Sequence, residues 1–261
     1  MSKLLCPLLA VLLLLPAGCA KSPGGGATSP ASGPQLIVTM TVAGNIDGLD
    51  PNYYYYILFN INRMTGPDGS SVGPIPVVTI GGGNGFAAGS FSHYVEYNST
   101  QGINNNFGYY GITADLKAPI GPTQGQLIAA SVSSDAHTLT FRLPLAYLAT
   151  SNYTADKINN LQINFVATNI VTLPTDNILN KYYDALYTPE GALSYYNLIV
   201  RDSNGTLMPG IYSSTIPGSV NGGSVAQYVN GVPQNVTGTV NGVVTDNLRI
   251  TGWSVELTAG S

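Results

Sequence analysis

The side chains best suited to hold a ligand lie in the aromatic stretch 53–62, which reads Tyr-Tyr-Tyr-Tyr-Ile-Leu-Phe-Asn-Ile-Asn. Aromatic and β-branched residues favour a strand, because they pack well on a pleated surface and lose rotamer freedom in a helix. Successive side chains of a strand point to opposite faces. One face then presents rings and amides together, a combination that suits stacking on a polar ligand. The candidate ligand-binding residues are Tyr54, Tyr56, Asn60 and Asn62.

The opposite face of the same stretch is wholly apolar and predicts a core. Its row consists of Tyr53, Tyr55, Ile57, Phe59 and Ile61. We expect Phe59 and Ile61 to be buried between two sheets, and Tyr54, Tyr56 and Asn60 to share the other face. That other face either binds a ligand or lies under a covering loop, and the sequence leaves both alternatives open.

Groups for hydrolytic or nucleophilic catalysis are scarce. Such reactions need a base beside a nucleophile, or two placed carboxylates. The chain has two histidines and three glutamates. His93 falls in a predicted strand beside Phe91 and Val95, and His137 falls in a predicted turn, so both are expected to have structural roles. The sequence predicts a protein that is not an enzyme and has no catalytic residue.

Metal and phosphate sites are also not expected. Asp47, Asp50 and Asp68 lie in predicted turns, where carboxylates either ligate Ca²⁺ or form Asx turns, and we favour the turns. The glycine-rich run 81–85 lacks the Lys and the following helix of a phosphate-binding loop. The prediction is therefore no metal and no cofactor.

The first nineteen residues have the parts of an export signal: Lys3, an apolar run from Leu4 to Leu15, and Pro-Ala-Gly before Cys19. Small residues directly before a Cys resemble the lipobox of bacterial lipoproteins, in which that Cys is acylated. The resemblance implies a signal peptide at 1–18, lipid attachment at Cys19 and an extracytoplasmic location in the bacterial cell envelope. A plain secretory signal cut near Ala20 is the alternative.

Residues 19–35 predict a flexible tether, because their Gly, Ser and Pro cannot bury enough apolar area to offset ordering. About sixteen such residues reach roughly 20–24 Å, enough to hold a domain clear of the membrane. The predicted partners are that membrane and either a glycan or an envelope protein. The few basic residues are scattered among 8% charged residues, so no nucleic-acid partner is expected.

Residues 36–261 predict a single all-β domain, a two-sheet antiparallel β-sandwich with one short helix and long Gly/Asn-rich loops. The predicted strands include 36–42 and 249–257, which we expect in the same sheet, and a hairpin of 127–132 with 138–143. Thr175 and Asp176 predict the start of the helix, which continues through Leu186. Val-Asn-Gly triplets at 220, 229 and 240 predict hairpin turns.

The order of these features, with the segment Thr-Leu-Thr-Phe-Arg-Leu-Pro-Leu-Ala-Tyr-Leu at 138–148 and Gly-Trp-Ser at 252–254, resembles the DOMON and family 9 carbohydrate-binding-module group. That resemblance covers about 36–257 and implies a β-sandwich that binds sugars or haem. The sugar-binding branch clamps its ligand between tryptophans, and this chain has one Trp. The haem branch uses a Met and a His. The chain offers Met40, Met64, Met208, His93 and His137.

Three functional hypotheses follow. The first is a surface-anchored, non-catalytic lipoprotein whose sandwich binds a glycan or a similar polar ligand. The alternative is a structural or assembly lipoprotein of the envelope without a small-molecule site, and the third is a haem-binding redox domain. Four Asn-Xaa-Ser/Thr sequons, at Asn98, Asn152, Asn204 and Asn235, have no role in a bacterial lipoprotein.

Overall fold

The structure is a computed structural model. It describes residues 33–46, 53–64, 72–76, 87–98, 107–111, 129–171, 180–186, 194–214, 225–229 and 232–260. Seventeen strands lie in these ranges. They are β1 Gln35–Val42, β2 Tyr54–Ile61, β3 Ile75–Pro76, β4 Ala87–Ala88, β5 His93–Asn98, β6 Phe107–Gly111, β7 Ala129–Val132, β8 Thr138–Pro144, β9 Asn160–Thr168, β10 Tyr182–Ala185, β11 Tyr196–Ile199, β12 Gly210–Ser214, β13 Val225–Val229, β14 Val232–Val236, β15 Thr239–Val240, β16 Val243–Val244 and β17 Ile250–Thr258.

Two antiparallel sheets contain most of these strands. The first has the order β12-β17-β1-β8-β7. The second has the order β14-β13-β10-β9-β2-β5-β6, and β11 pairs with the other end of β9. The helical segments in the described ranges are single 3₁₀ turns at Leu145–Leu148, Ala155–Lys157 and Thr245–Asn247. The predicted all-β antiparallel sandwich is confirmed.

The two ends of the described chain meet in the first sheet. Strand β1 lies between β17 and β8, with Leu36 opposite Leu257 and Met40 opposite Trp253. Its burial alternates strictly along the strand, as expected for a strand with one face on a core and one towards solvent. The prediction that the first and last strands share a sheet is confirmed.

The inter-sheet core is formed by inward rows from both sheets. The predicted apolar row of β2 supplies Phe59 and Ile61, both fully buried. Strand β9 adds Phe165, and β8 of the other sheet adds Phe141. The prediction that Phe59 and Ile61 lie between the sheets is confirmed.

The second sheet is covered on its outer face as well. Seven of the eight residues of β2 are buried, and a second apolar cluster contains Tyr56, Leu58, Ala87, Phe91 and Tyr94. The short paired strands β3 and β4 belong to the cover. Asn164 of β9 holds it to the sheet by donating from Nδ2 to the carbonyl oxygen of Pro74 at 2.9 Å. Of the two alternatives left by the sequence, the described residues show the covered face.

The helix predicted from Thr175 through Leu186 is wrong in its second half, and 172–179 lie outside the described residues. Tyr182–Ala185 form strand β10, which pairs with β9 and β13. The adjacent tyrosines suit a strand, and Asn169 Oδ1 accepts the backbone N–H of Tyr182 at 2.7 Å. Tertiary hydrogen bonds therefore override the capping signal.

The predicted turns are confirmed where the structure describes them. Strands β7 and β8 form the expected hairpin, with Ala130 opposite Phe141. The Val-Asn-Gly triplet at 240 joins β15 to β16 through Asn241 and Gly242, both with positive φ.

Several predicted features lie outside the described residues. They are the signal peptide, Cys19, Asp47, Asp50, Asp68 and the glycine run 81–85. Within the described ranges, no helix is long and apolar enough to cross a membrane.

Candidate functional site

The two predicted stacking residues lie on one face but in different environments. Tyr56 is 1% exposed and contacts Tyr94 edge-on, with ring centroids 6.1 Å apart. Tyr54 is partly exposed and lies parallel to Tyr56 at 6.4 Å. The ring of Tyr56 is therefore enclosed by protein. A ligand from solvent reaches Tyr54 and does not stack on Tyr56.

The two predicted amides are occupied by structural hydrogen bonds. Asn60 is buried and donates from Nδ2 to Gln162 Oε1 at 2.8 Å and to the Met64 carbonyl at 3.0 Å. Asn62 adopts φ +48° after β2. Its Oδ1 accepts the N–H of Asn159 and its Nδ2 donates to the Lys157 carbonyl, both at 2.8 Å. Asn62 therefore fixes the loop before β9 to the end of β2.

One corner of the second sheet holds buried polar atoms without a hydrogen-bond partner in the described part of the chain. They are Asn60 Oδ1, Asn160 Oδ1 and Arg201 Nε. The corner lies where β2 ends and β9 begins. The backbone N–H of Arg201 donates to the Asn159 carbonyl there. A buried polar atom without a hydrogen-bond partner lowers the free energy of unfolding, because it loses its bonds to water on folding. Because each is shielded from solvent, an external ligand does not reach them in this conformation.

Neither histidine is arranged as a general base towards a serine. Ser92 Oγ donates to the carbonyl of Phe59 at 3.1 Å, so it accepts from His93 Nδ1 at 2.9 Å. The proton direction is opposite to that of a nucleophile activated by a base. Burial lowers the pKa of His93 to about 4. His137 Nδ1 donates to the Gly44 carbonyl at 2.6 Å, which fixes the turn before β8.

Metal ligands do not gather in the part of the chain that the structure describes. No group of three His, Cys, Asp or Glu side chains lies close enough there to hold a metal ion. Asp184 is the fully buried carboxylate of β10, and its two oxygens accept backbone N–H groups of Ala185 at 2.9 Å and Ile250 at 2.7 Å. Its role is to join the second sheet to the start of β17.

The described residues contain an aromatic group that the sequence did not predict as a site. We call Tyr196, Tyr212 and Trp253 the edge cluster. The centroids of Tyr196 and Trp253 are 4.8 Å apart, and those of Tyr196 and Tyr212 are 6.2 Å apart. All three side chains are partly exposed. Trp253 also lies 5.5 Å from the buried ring of Phe165, so the cluster continues into the inter-sheet core.

The chain brings the three rings together by crossing between the sheets. Tyr196 is in β11 on the second sheet, whereas Tyr212 is in β12 at the edge of the first. A tight hairpin with Arg201 opposite Leu207 connects them. Trp253 comes from β17, two residue pairs along from Val255, the partner of Tyr212, because Ser214 lies opposite Trp253. The edge cluster therefore lies where a sheet edge and β11 meet.

The edge cluster is neutral and has polar tips. Burial, and secondly the neighbouring Tyr212, raise the pKa of Tyr196, so the Tyr196 phenol stays protonated at physiological pH. Tyr212 donates its hydroxyl to the Met208 carbonyl at 3.3 Å. This arrangement is suited to stacking and apolar contact with an uncharged partner.

Alternation along β17 predicts an inward Trp253, and the structure agrees, but an inward residue at a sandwich edge is only partly covered. The sequence does not show that Tyr196 and Tyr212 meet Trp253, because the two tyrosines come from strands of different sheets. The available signal was the occurrence of Tyr196 and Tyr212 in two strands flanking the turn Asp202–Gly205. A hairpin that changes sheets places its two flanking strands at the same edge.

No protein-family model matches this chain, and no curated protein matches it in sequence. The resemblance to DOMON and family 9 carbohydrate-binding modules therefore stays a prediction.

Proposed function

We propose that this protein is a lipid-anchored, extracytoplasmic binding module that captures a glycan at the edge cluster. The observation that supports the proposal is the contact of three partly exposed aromatic rings at the sandwich edge. The C–H face of a sugar ring packs on aromatic faces, and phenol tips supply hydrogen bonds to its hydroxyl groups. The proposal moves the ligand from the predicted face of Tyr54 and Tyr56 to the edge.

An uncharged, hydroxyl-rich ligand agrees with the electrostatics of the region. Two ion pairs occur in the described residues, Lys157 with Asp156 and Arg249 with Asp246. Neither involves the strands β11 and β12. A charged ligand needs opposite charge at its site, whereas a neutral saccharide needs stacking area and a few polar groups.

The single tryptophan makes the proposal directly testable. Because Trp253 is the only Trp in the chain, its emission reports on any ligand that stacks at the edge cluster. Oligosaccharides selected on a glycan array should shift this emission in a saturable titration. Tyr196→Ala and Tyr212→Ala keep the reporter and should each weaken binding about two- to twelvefold, the equivalent of about 0.5–1.5 kcal/mol for one aromatic contact.

Two controls give the titration its meaning. Tyr153→Ala removes a partly buried tyrosine that packs on the inter-sheet core and is not one of the three edge-cluster residues, and it should bind as the unaltered protein does. Tyr196→Phe keeps the ring and should retain most of the affinity. If the array finds no glycan, or if Tyr196→Ala and Tyr212→Ala bind as tightly as the parent, the edge cluster is not the site.

A second candidate function has its own observation. Strand β12 is the end strand of the first sheet in the described residues, and Ile211 on it is 71% exposed. Such an edge pairs with a strand of another chain, which fits an assembly lipoprotein of the envelope. In that case Ile211→Lys should abolish self-association or partner capture in sedimentation experiments, while the Trp253 titration shows no glycan response.

The lipid anchor is a separate part of the proposal and rests on Cys19 and the sequence before it. The unaltered chain should sediment with membranes and carry an acyl mass at Cys19, whereas Cys19→Ala should be released in soluble form. A Cys19→Ala chain that stays with the membrane, beside a parent chain without acyl mass, would contradict anchoring and leave the glycan proposal untouched.

A further inference from the structure

The sequons have a consistent position that the proposed function does not explain. Three of them begin at residues in the described ranges whose exposure is known, and Asn152, Asn204 and Asn235 are all exposed. The buried asparagines Asn164 and Asn169 are followed by Phe-Val and Ile-Val, which form no sequon. A sequon is an acceptor only on the surface of an exported chain, and these three positions lie on the surface.

We propose that Asn204 is an N-glycosylation site. Asn204 lies at the tip of the hairpin between β11 and β12, in the sequence Asp-Ser-Asn-Gly-Thr at 202–206. Asp202 Oδ1 accepts the N–H groups of Asn204 at 2.8 Å and Thr206 at 2.9 Å. These bonds hold the loop through its backbone, and the side chains of Asn204 and Thr206 point to solvent as exposed residues.

The local backbone distinguishes Asn204 from Asn235. Asn235 lies within β14, where it is paired with Ala226, so an enzyme must disrupt a ladder to draw it out. Asn204 lies in a turn, and Gly205 between it and Thr206 has φ +79°. A turn presents its residues to an enzyme without loss of sheet pairing. The asparagine and the hydroxyl two residues later, which together define the acceptor, are therefore both presented to solvent.

The reaction requires a polyprenyl pyrophosphate-linked oligosaccharide as donor and a membrane oligosaccharyltransferase as catalyst. The Asn204 Nδ2 forms a bond to C1 of the first sugar and loses one proton. The bond between C1 and the pyrophosphate oxygen breaks, and the lipid pyrophosphate leaves. No electrons are exchanged. Because this transfer takes place outside the cytoplasm, the inference rests on the proposed export of the chain. It replaces the expectation that the sequons have no role in a bacterial lipoprotein, because it requires a cell that supplies this donor and this transferase.

The test is mass spectrometry of the full chain expressed and purified from its own organism, with the membrane-proximal and cytoplasmic fractions collected separately. The peptide that spans 202–208 should carry an oligosaccharide mass, and fragmentation of the peptide should place that mass on Asn204. Thr206→Ala should abolish the added mass, whereas Thr206→Ser should retain it. Asn197→Gln, an exposed asparagine of β11 outside any sequon, should change nothing.

The variants separate modification from folding. The Thr206 side chain is exposed, and the described bonds to Asp202 use only the backbone N–H and carbonyl of Thr206, so Thr206→Ala should fold as the parent does. An exported chain with an unmodified 202–208 peptide would overturn the inference while leaving localisation and glycan binding intact. A chain found only in the cytoplasm would overturn both the inference and the proposed localisation.

Discussion

Tyr56→Ala should destabilise the protein about as much as Phe59→Ala, although the two side chains point to opposite faces of β2. Phe59 is 0% exposed in the inter-sheet core and Tyr56 is 1% exposed in the outer cluster. Truncating a buried aromatic residue to Ala costs about 3–5 kcal/mol, because both transfer energy and packing around the cavity are lost. A ligand-stacking Tyr56 on an open face would cost far less.

Urea unfolding of the three variants Phe59→Ala, Tyr56→Ala and Tyr54→Ala measures this difference. Unfolding of the parent and variants should keep the same m value, so that shifts in midpoint report stability. Tyr54 is the matched control, because it lies on the same face but is partly exposed. Its loss should cost about 0.5–1.5 kcal/mol, mainly from the contact with Tyr56.

The result that refutes this reasoning is specific. If Tyr56→Ala costs less than about 1 kcal/mol while Phe59→Ala costs about 3–5 kcal/mol, the cover over the second sheet does not pack on it in solution. The outer face of β2 would then be open, and the face of Tyr54 and Tyr56 would return as the binding surface. Equal costs would support the edge cluster as the place for a ligand.

Two further predictions concern buried titratable groups. The folded-state pKa of His93 is about 4, whereas His93 in the unfolded chain binds a proton below about pH 6.5, so the free energy of unfolding should decrease by about 3 kcal/mol as the pH falls from 6.5 to 4. His93→Gln should remove this decrease when urea unfolding is measured at a series of pH values. An unchanged pH dependence in His93→Gln would contradict the prediction. Asp184→Asn replaces one of two acceptors for backbone N–H groups and should cost about 1–3 kcal/mol, whereas Asp246→Asn, which is exposed, should cost little in the same measurement.

Alternation predicted the faces of strands well and their covers poorly. In β1 the apolar residues Leu36, Val38 and Met40 alternate with Ile37 and Thr39, and the structure buries each of the three. In β2 the same rule correctly separated Phe59 from Tyr56. It carried no information about what lies over Tyr56, because that depends on residues more than ten positions away, such as Ala87 and Phe91.

Local signals failed where long-range hydrogen bonds decide the structure. Tyr182 to Leu186 looked helical after the Thr-Asp pair at 175–176, but Asp184 bonds to Ile250 and the backbone pairs with two strands. No local pattern in the sequence reports a partner at a separation of 66 residues. The Asn241-Gly242 turn, by contrast, was predictable because positive φ is a property of those two residues.

The edge cluster follows from the way this sandwich uses its surfaces. The outer face of the second sheet is covered along β2, and one row across the outer face of the first sheet carries hydroxyl groups. That row reads Ser213, Ser254, Thr39, Thr140 and Ser131 in neighbouring strands. Aromatic rings in the inward rows gain solvent contact where the sheets end, and the crossing from β11 to β12 brings Tyr196 and Tyr212 over Trp253 at such an end. The same crossing needs a tight hairpin, and that hairpin presents Asn204 at its tip. Binding surface and modification site therefore have one structural origin, and Thr206→Ala separates them because it removes the sequon without touching the rings.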